Sequence, residues 1–259
     1  MVADGASQIG LSKWIEPFFK GVPASGSSSV TAAASKYYGG EQRIASKGGN
    51  SVVLAFPGAA QGASQPETAV LVGLLGGESA IKWSPGFSLL SKVTSVAPGA
   101  TAKASNYAYS DAGLFTIQIK GSASAVRKVA EESVKALKSI AEGGVSQENL
   151  VKAIAKAKFN LLSGSEVSGT GLVQAGSNLI HGGKPVQVAE TLKALEGVNA
   201  EKLKAVSALL REALCVERKR LTDGNKLQAA KTLLEGKASV AAVGDLHVLP
   251  FAEELGLKV

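Results

Sequence analysis

Residues 114–144 read LFTIQIKGSASAVRKVAEESVKALKSIAEGG, and the change of period inside this stretch decides the fold. Phe115, Ile117 and Ile119 alternate with Thr116, Gln118 and Lys120, the pattern of a strand with one buried and one wet face. From Ser122 onward Val126, Val129, Ala130, Leu137, Ile140 and Ala141 recur at helical spacing with charged residues opposite, until Gly143-Gly144 stops the run. A half-buried strand leading into an amphipathic helix predicts a sheet with helices laid on one of its faces.

The flanking sequence extends this pattern. Upstream, residues 41–46 and 51–56 read as strands, the second closed by Pro57-Gly58. Pro66-Glu67 opens a helix that ends at Gly76-Gly77, since proline suits the first turn and a carboxylate suits the positive end of the dipole. Residues 87–96 suggest a short helix stopped by Pro98-Gly99, and residues 104–109 a strand joined to 114–120 through Ser110-Asp111-Ala112-Gly113. Downstream, Ser146 caps a helix that turns Leu150, Ile154, Ala157 and Leu161 inward. Further helices are expected at 172–180, 186–195 and 200–214, then a strand at 238–243 and a helix near 250–255. This order predicts the α+β class, with a mixed, largely antiparallel sheet and helices packed on one face. It lacks the regular strand-helix alternation of a dinucleotide-binding fold.

Composition narrows the function. The 259 residues are 45% hydrophobic and 19% charged, enough for a large core in one domain or two small ones. The longest clean apolar run, residues 69–75, falls far short of the roughly 20 residues a membrane-spanning helix needs, so no direct membrane insertion is expected. A net charge of +7 raises the question of a nucleic-acid partner. The lysines, however, are spread along helical stretches (Lys128, Lys135 and Lys138; Lys152, Lys156 and Lys158) without interleaved aromatics, and no nucleic-acid partner is expected. Cys215 is the single cysteine, so no internal disulfide can form.

No catalytic, cofactor-binding or metal-binding residue is expected. The only histidines, His181 and His247, are too far apart for His-x-x-Glu-His or its inverted form, which need both imidazoles on one helix face. His181 precedes Gly182-Gly183 at a helix end and His247 follows the last strand, both structural or surface positions. The glycine pairs read as turns and helix stops, and Ser168-Gly169-Thr170-Gly171 lacks the spacing of a phosphate cradle. No Gly-x-Ser-x-Gly elbow occurs. Glu131-Glu132 and Glu253-Glu254 sit on polar helix faces beside lysines. No cofactor follows from any of these patterns.

Residues 21–37 are small and polar and read as a linker, with a helical piece in residues 1–20 ahead of it and the main domain at 38–259. The stretches Ser35-Lys36-Tyr37-Tyr38-Gly39-Gly40-Glu41-Gln42-Arg43-Ile44, Leu75-Gly76-Gly77-Glu78-Ser79-Ala80-Ile81-Lys82-Trp83-Ser84, Ala108-Tyr109-Ser110-Asp111-Ala112-Gly113-Leu114-Phe115 and Ala241-Ala242-Val243-Gly244-Asp245-Leu246-His247-Val248-Leu249-Pro250 carry a resemblance. They resemble the second repeat of the mitochondrial processing-peptidase family, in the branch of non-catalytic core subunits of respiratory complex III. The resemblance implies two similar α+β repeats, of which residues 1–20 would be the tail of the first. It also implies core protein 1 and other complex III subunits as partners, and a peripheral place on the matrix side of the mitochondrial inner membrane. The first residues lack signal-peptide and transit-peptide patterns, so a targeting sequence and a first repeat are expected upstream of Met1. Because the family's zinc motif belongs to the first repeat of the catalytic subunit, the core-like stretches carry the assignment to a non-enzyme. The alternative is a fragment of the non-catalytic subunit of the processing peptidase itself.

Residues 206–228 interrupt the resemblance, in which Leu203-Lys204-Ala205 runs almost directly into Ala229-Ala230-Lys231. Val206-Ser207 can be encoded by GTAAGT, Leu221-Thr222 by codons opening CTAAC, and Gln228 by CAG, so a short intron translated in frame is one reading. A genuine helical extension is the other, since Val206, Leu209, Leu210, Ala213 and Leu214 keep helix-like spacing up to the turn signal Asp223-Gly224-Asn225.

Overall fold

A computed structural model describes residues 2–23, 35–60, 66–77, 84, 86–183, 187–212 and 237–259. The alternating stretch at its centre is the strand β4 (Gly113–Gly121), paired antiparallel with β2 (Asn50–Gly58) on one side and β3 (Ala100–Ala108) on the other. Within β2 the helix-facing residues Val52, Leu54 and Phe56 are fully buried. They sit opposite Ile119, Ile117 and Phe115 of β4, so each rung of the ladder places two apolar side chains under the helices.

The last strand, β5 (Ser239–Gly244), inserts between β1 (Gly40–Ala45) and β2, giving the order β1-β5-β2-β4-β3. It runs parallel to β1 and antiparallel to β2, which makes the sheet mixed but largely antiparallel. The short connection between β1 and β2 therefore spans two strand spacings, about 10 Å, and Gly49 takes φ +130° within it.

Helices cover one face in two tiers. The inner tier is α2 (Pro66–Leu75), α3 (Leu89–Val96) and α4 (Ala123–Glu142). α2 is apolar all round and buried accordingly. α4 buries Val126, Val129, Val134, Leu137 and Ile140 in the core, each stabilising by about 1.5–3 kcal/mol. Its buried Ser133 is satisfied by donating to the Val129 carbonyl at 2.6 Å. Gly143, at φ +92°, and Gly144 donate back to Ile140 and Ser139, closing α4 as the glycine pair required.

The outer tier is α5 (Gln147–Glu166), α7 (Val188–Glu196) and α8 (Ala200–Glu212), packed on α2 and α4. Ser146 caps α5 by accepting from the Asn149 N–H at 3.3 Å. α5 approaches α2 so closely that a Cβ at Gly73 would lie 2.8 Å from the Ala153 carbonyl oxygen. α6 (Ser168–Gly182) packs against α5 and buries none of its described side chains. α1 (Gln8–Phe19) also buries none.

Two expectations change in extent. β3 begins at Ala100 rather than 104, because its inward residues Ala100, Ala102 and Ala104 are small enough to mute the alternation. Residues 250–255 form turns instead of a helix. Gly256 at φ +68° donates to the Glu253 carbonyl and Leu257 to the Ala252 carbonyl at 2.9 Å each, so the single turn closes on itself at once. Of residues 206–228, those up to 212 continue α8 and the rest lie outside the described residues, as does Cys215.

Candidate interaction surfaces

The residues tested for chemistry lie scattered. His181 is exposed in the last turn of α6, and His247 is exposed after β5, its N–H donating to Asp245 Oδ1 at 3.1 Å. Among the described residues no three His, Cys, Asp or Glu side chains come together as a metal site. Ser168-Gly169-Thr170-Gly171 is the regular first turn of α6, not a loop. Glu131 pairs with Arg127 at 3.3 Å and Glu132 with Lys135 at 2.6 Å, both ordinary intrahelical pairs. Glu254 instead bridges to Arg127 at 2.9 Å and joins the carboxy-terminal residues to α4.

Two clamps hold the sheet's first edge. On the helix side Arg43 of β1 donates to the carbonyls of Leu246, Leu249 and Pro250 at 2.8–2.9 Å and to Glu41 Oε1 at 3.0 Å. Glu41 Oε2 accepts from the Ala252 N–H at 3.3 Å. The Arg43–Glu41 pair thereby ties residues 246–252 to the strand. On the opposite, helix-free face, residues 35–39 run along the sheet. The Ser35 N–H donates to Asp111 Oδ2 at 2.8 Å, which holds that carboxyl below its ordinary range. The Tyr37 hydroxyl lies 2.9 Å from both the Ala55 carbonyl oxygen and Ser239 Oγ. Burial pushes the Tyr37 phenol up, with the Ser239 contacts pulling the other way.

Apolar side chains also point away from the core. On α5, Val151, Phe159 and Leu162 form an outward stripe, Phe159 being 67% exposed. On α6, Val173 and Ile180 recur at a two-turn interval and are 74% and 79% exposed. On α1, Trp14 and Phe18 lie one turn apart on the same side and are 75% and 77% exposed, while exposed Ile9 lies on the opposite side. Large apolar residues aligned on a helix face and left wet mark contact surfaces more often than chance exposure.

The family model that matches, over residues 5–157, is that of the peptidase M16 inactive domain. The chain belongs to the peptidase M16 family, as its inactive domain. Within that family it is 67% identical over 259 residues to cytochrome b-c1 complex subunit 2 of Neurospora crassa, covering all of this chain and 52% of the relative. Subunit 2 of Cryptococcus neoformans var. grubii is 32% identical over 266 residues, covering 99% of this chain and 53% of the relative. The chain thus spans about half the length of these curated relatives. Among solved structures, a chain of complex III2 from Candida albicans superposes with a TM-score of 0.66 over 84% of this chain and 49% of its own. At 12% identity that match shows the fold alone, the same α+β arrangement of sheet and helices. The M16 fold here is the inactive form, not a working peptidase.

Proposed function

We propose that this M16 inactive domain is a non-catalytic structural part of core subunit 2 of the mitochondrial cytochrome b-c1 complex, supporting assembly of the electron-transfer complex. The observation that carries this reading is the 67% identity to the Neurospora subunit along the whole chain. The exposed apolar side chains of α1, α5 and α6 support it in kind, since they are available to meet other chains. Core protein 1 is the proposed partner for them, and the matrix side of the inner membrane the proposed location. No helix among the described residues is long and apolar enough to cross a membrane.

Charging the outward stripe tests it. Phe159→Asp and Ile180→Asp remove no core contact and should change the stability of the free chain by less than about 0.5 kcal/mol. Each should lower incorporation into the haem-containing complex on native gels. Full incorporation of the double variant would refute a structural role for this surface.

A further inference from the structure

β1 is an edge strand: among the described residues β5 pairs with its inner side and no strand with its outer side. Gly40 donates to the Ala238 carbonyl and Ser46 to that of Gly244, so the even-numbered residues face β5 and the backbone groups of Glu41, Arg43 and Ala45 face outward. Beside this edge, on the helix-free face, lies an open hollow of about 310 Å³ with Tyr38 and Gln42 as walls and Val53, Ala55 and Ala241 as floor. It exists because Gly40 has no side chain; a Cβ there would meet nothing within 4 Å.

Edges are commonly protected by charges turned into the strand's path. Here the charges on β1 are already spent, since both oxygens of Glu41 and the guanidinium of Arg43 are engaged by each other and by the carboxy-terminal residues. Three lysines remain near the edge: Lys36 and Lys47 flank β1 and Lys237 packs against Gly39, with one exposed carboxylate, Asp245, at the Ala45 end.

We propose that the outer edge of β1 docks an extended segment of a partner polypeptide, which adds a strand to the sheet, places one apolar side chain in the Gly40 hollow and sets carboxylates beside the flanking lysines. Backbone pairing supplies the affinity and the hollow the selectivity, as in other strand-addition sites. This goes beyond the helix stripes proposed for assembly and uses a different side of the molecule.

The test uses the full chain and a short fluorescein-labelled peptide with a central leucine, flanking threonines and a pair of aspartates at each end. Anisotropy should show saturable binding, and amide exchange at Glu41, Arg43 and Ala45 should slow in the bound state. Three changes should each weaken binding roughly tenfold or more: prolines in place of the threonines, lysines in place of the aspartates, and Gly40→Leu in the protein. The Cβ of Gly40→Leu would meet nothing within 4 Å, and an unchanged melting temperature confirms that the variant folds; the peptide variants need no mutation of the protein. Absence of binding, or equal binding of the proline peptide, overturns the proposal. Concentration-dependent dimerisation lost in Gly40→Leu, without peptide binding, would overturn it in favour of a second copy at the same edge.

Discussion

The guanidinium of Arg43 lies 3.8 Å from the ring centroid of Phe251, two residues brought together from opposite ends of the domain. The same group donates to three carbonyls of the segment beside that ring. Stacking and bonding by one planar cation fix the carboxy-terminal residues where a lysine could not, because an ammonium lacks the fork. Arg43→Ala is expected to cost about 3 kcal/mol by leaving those half-buried acceptors and Glu41 without their partner. That corresponds to a melting temperature lower by roughly 6–12 °C for a domain of this size. Arg43→Lys should fall between the two, and thermal unfolding followed by circular dichroism measures all three.

Two glycines in helices should behave oppositely. Gly73→Ala drives a methyl against the Ala153 carbonyl, so α2 and α5 must move apart at a cost of about 2 kcal/mol. A Cβ at Gly164, within α5, meets nothing within 4 Å, and Gly164→Ala should stabilise by about 0.5–1 kcal/mol. Urea titration of both variants reads the difference directly.

Tyr37 gives an alkaline signature. Its folded pKa is raised, first by burial, so the folded state resists ionisation while the unfolded chain gives up its proton near the ordinary value of about 10. Its contribution is fully present below that value and is lost as pH climbs through the window up to the raised folded value. Tyr37→Phe should be less stable at neutral pH, where the contacts to Ala55 and Ser239 are missing, yet its stability should decline less above pH 10. Denaturant midpoints measured at neutral and alkaline pH check both signs.

Local periodicity carried the parts of the fold that repeat. Phe115, Ile117 and Ile119 named the buried face of β4, and Val126 to Ile140 the buried face of α4, because each pattern is set by one element against one core. The insertion of β5 between β1 and β2 had no local signal, since strand order is decided by contacts between distant segments. The outward stripe of α5 was equally hidden. The spacing named Leu150, Ile154, Ala157 and Leu161 as the inward face, but Val151, Phe159 and Leu162 are interleaved with them along the chain and no local signal marked them as a second apolar face. The role of Arg43 was invisible for a related reason: its partners are backbone carbonyls, which carry no side-chain signature.

The segment 206–228 yields a prediction at the level of the transcript. α8 runs through its first residues to Glu212, a continuation that both a helical extension and a chance in-frame intron allow. The expected result is a mature message lacking these 23 codons, joining Ala205 to Ala229. Sequencing the mature transcript checks this, and a message that retains the codons in nearly all copies refutes the intron and assigns them to the protein.

The central claim, that this inactive M16 domain serves the cytochrome b-c1 complex as structure, is tested most directly by tagging the protein in its own cells and solubilising mitochondria in mild detergent. The tagged species should co-migrate on native gels with b- and c-type haem absorbance, and carry no stoichiometric zinc beyond that of the untagged complex. Recovery of the chain apart from haem, paired with a zinc-containing partner and showing chelator-sensitive cleavage of presequence peptides, would contradict the account.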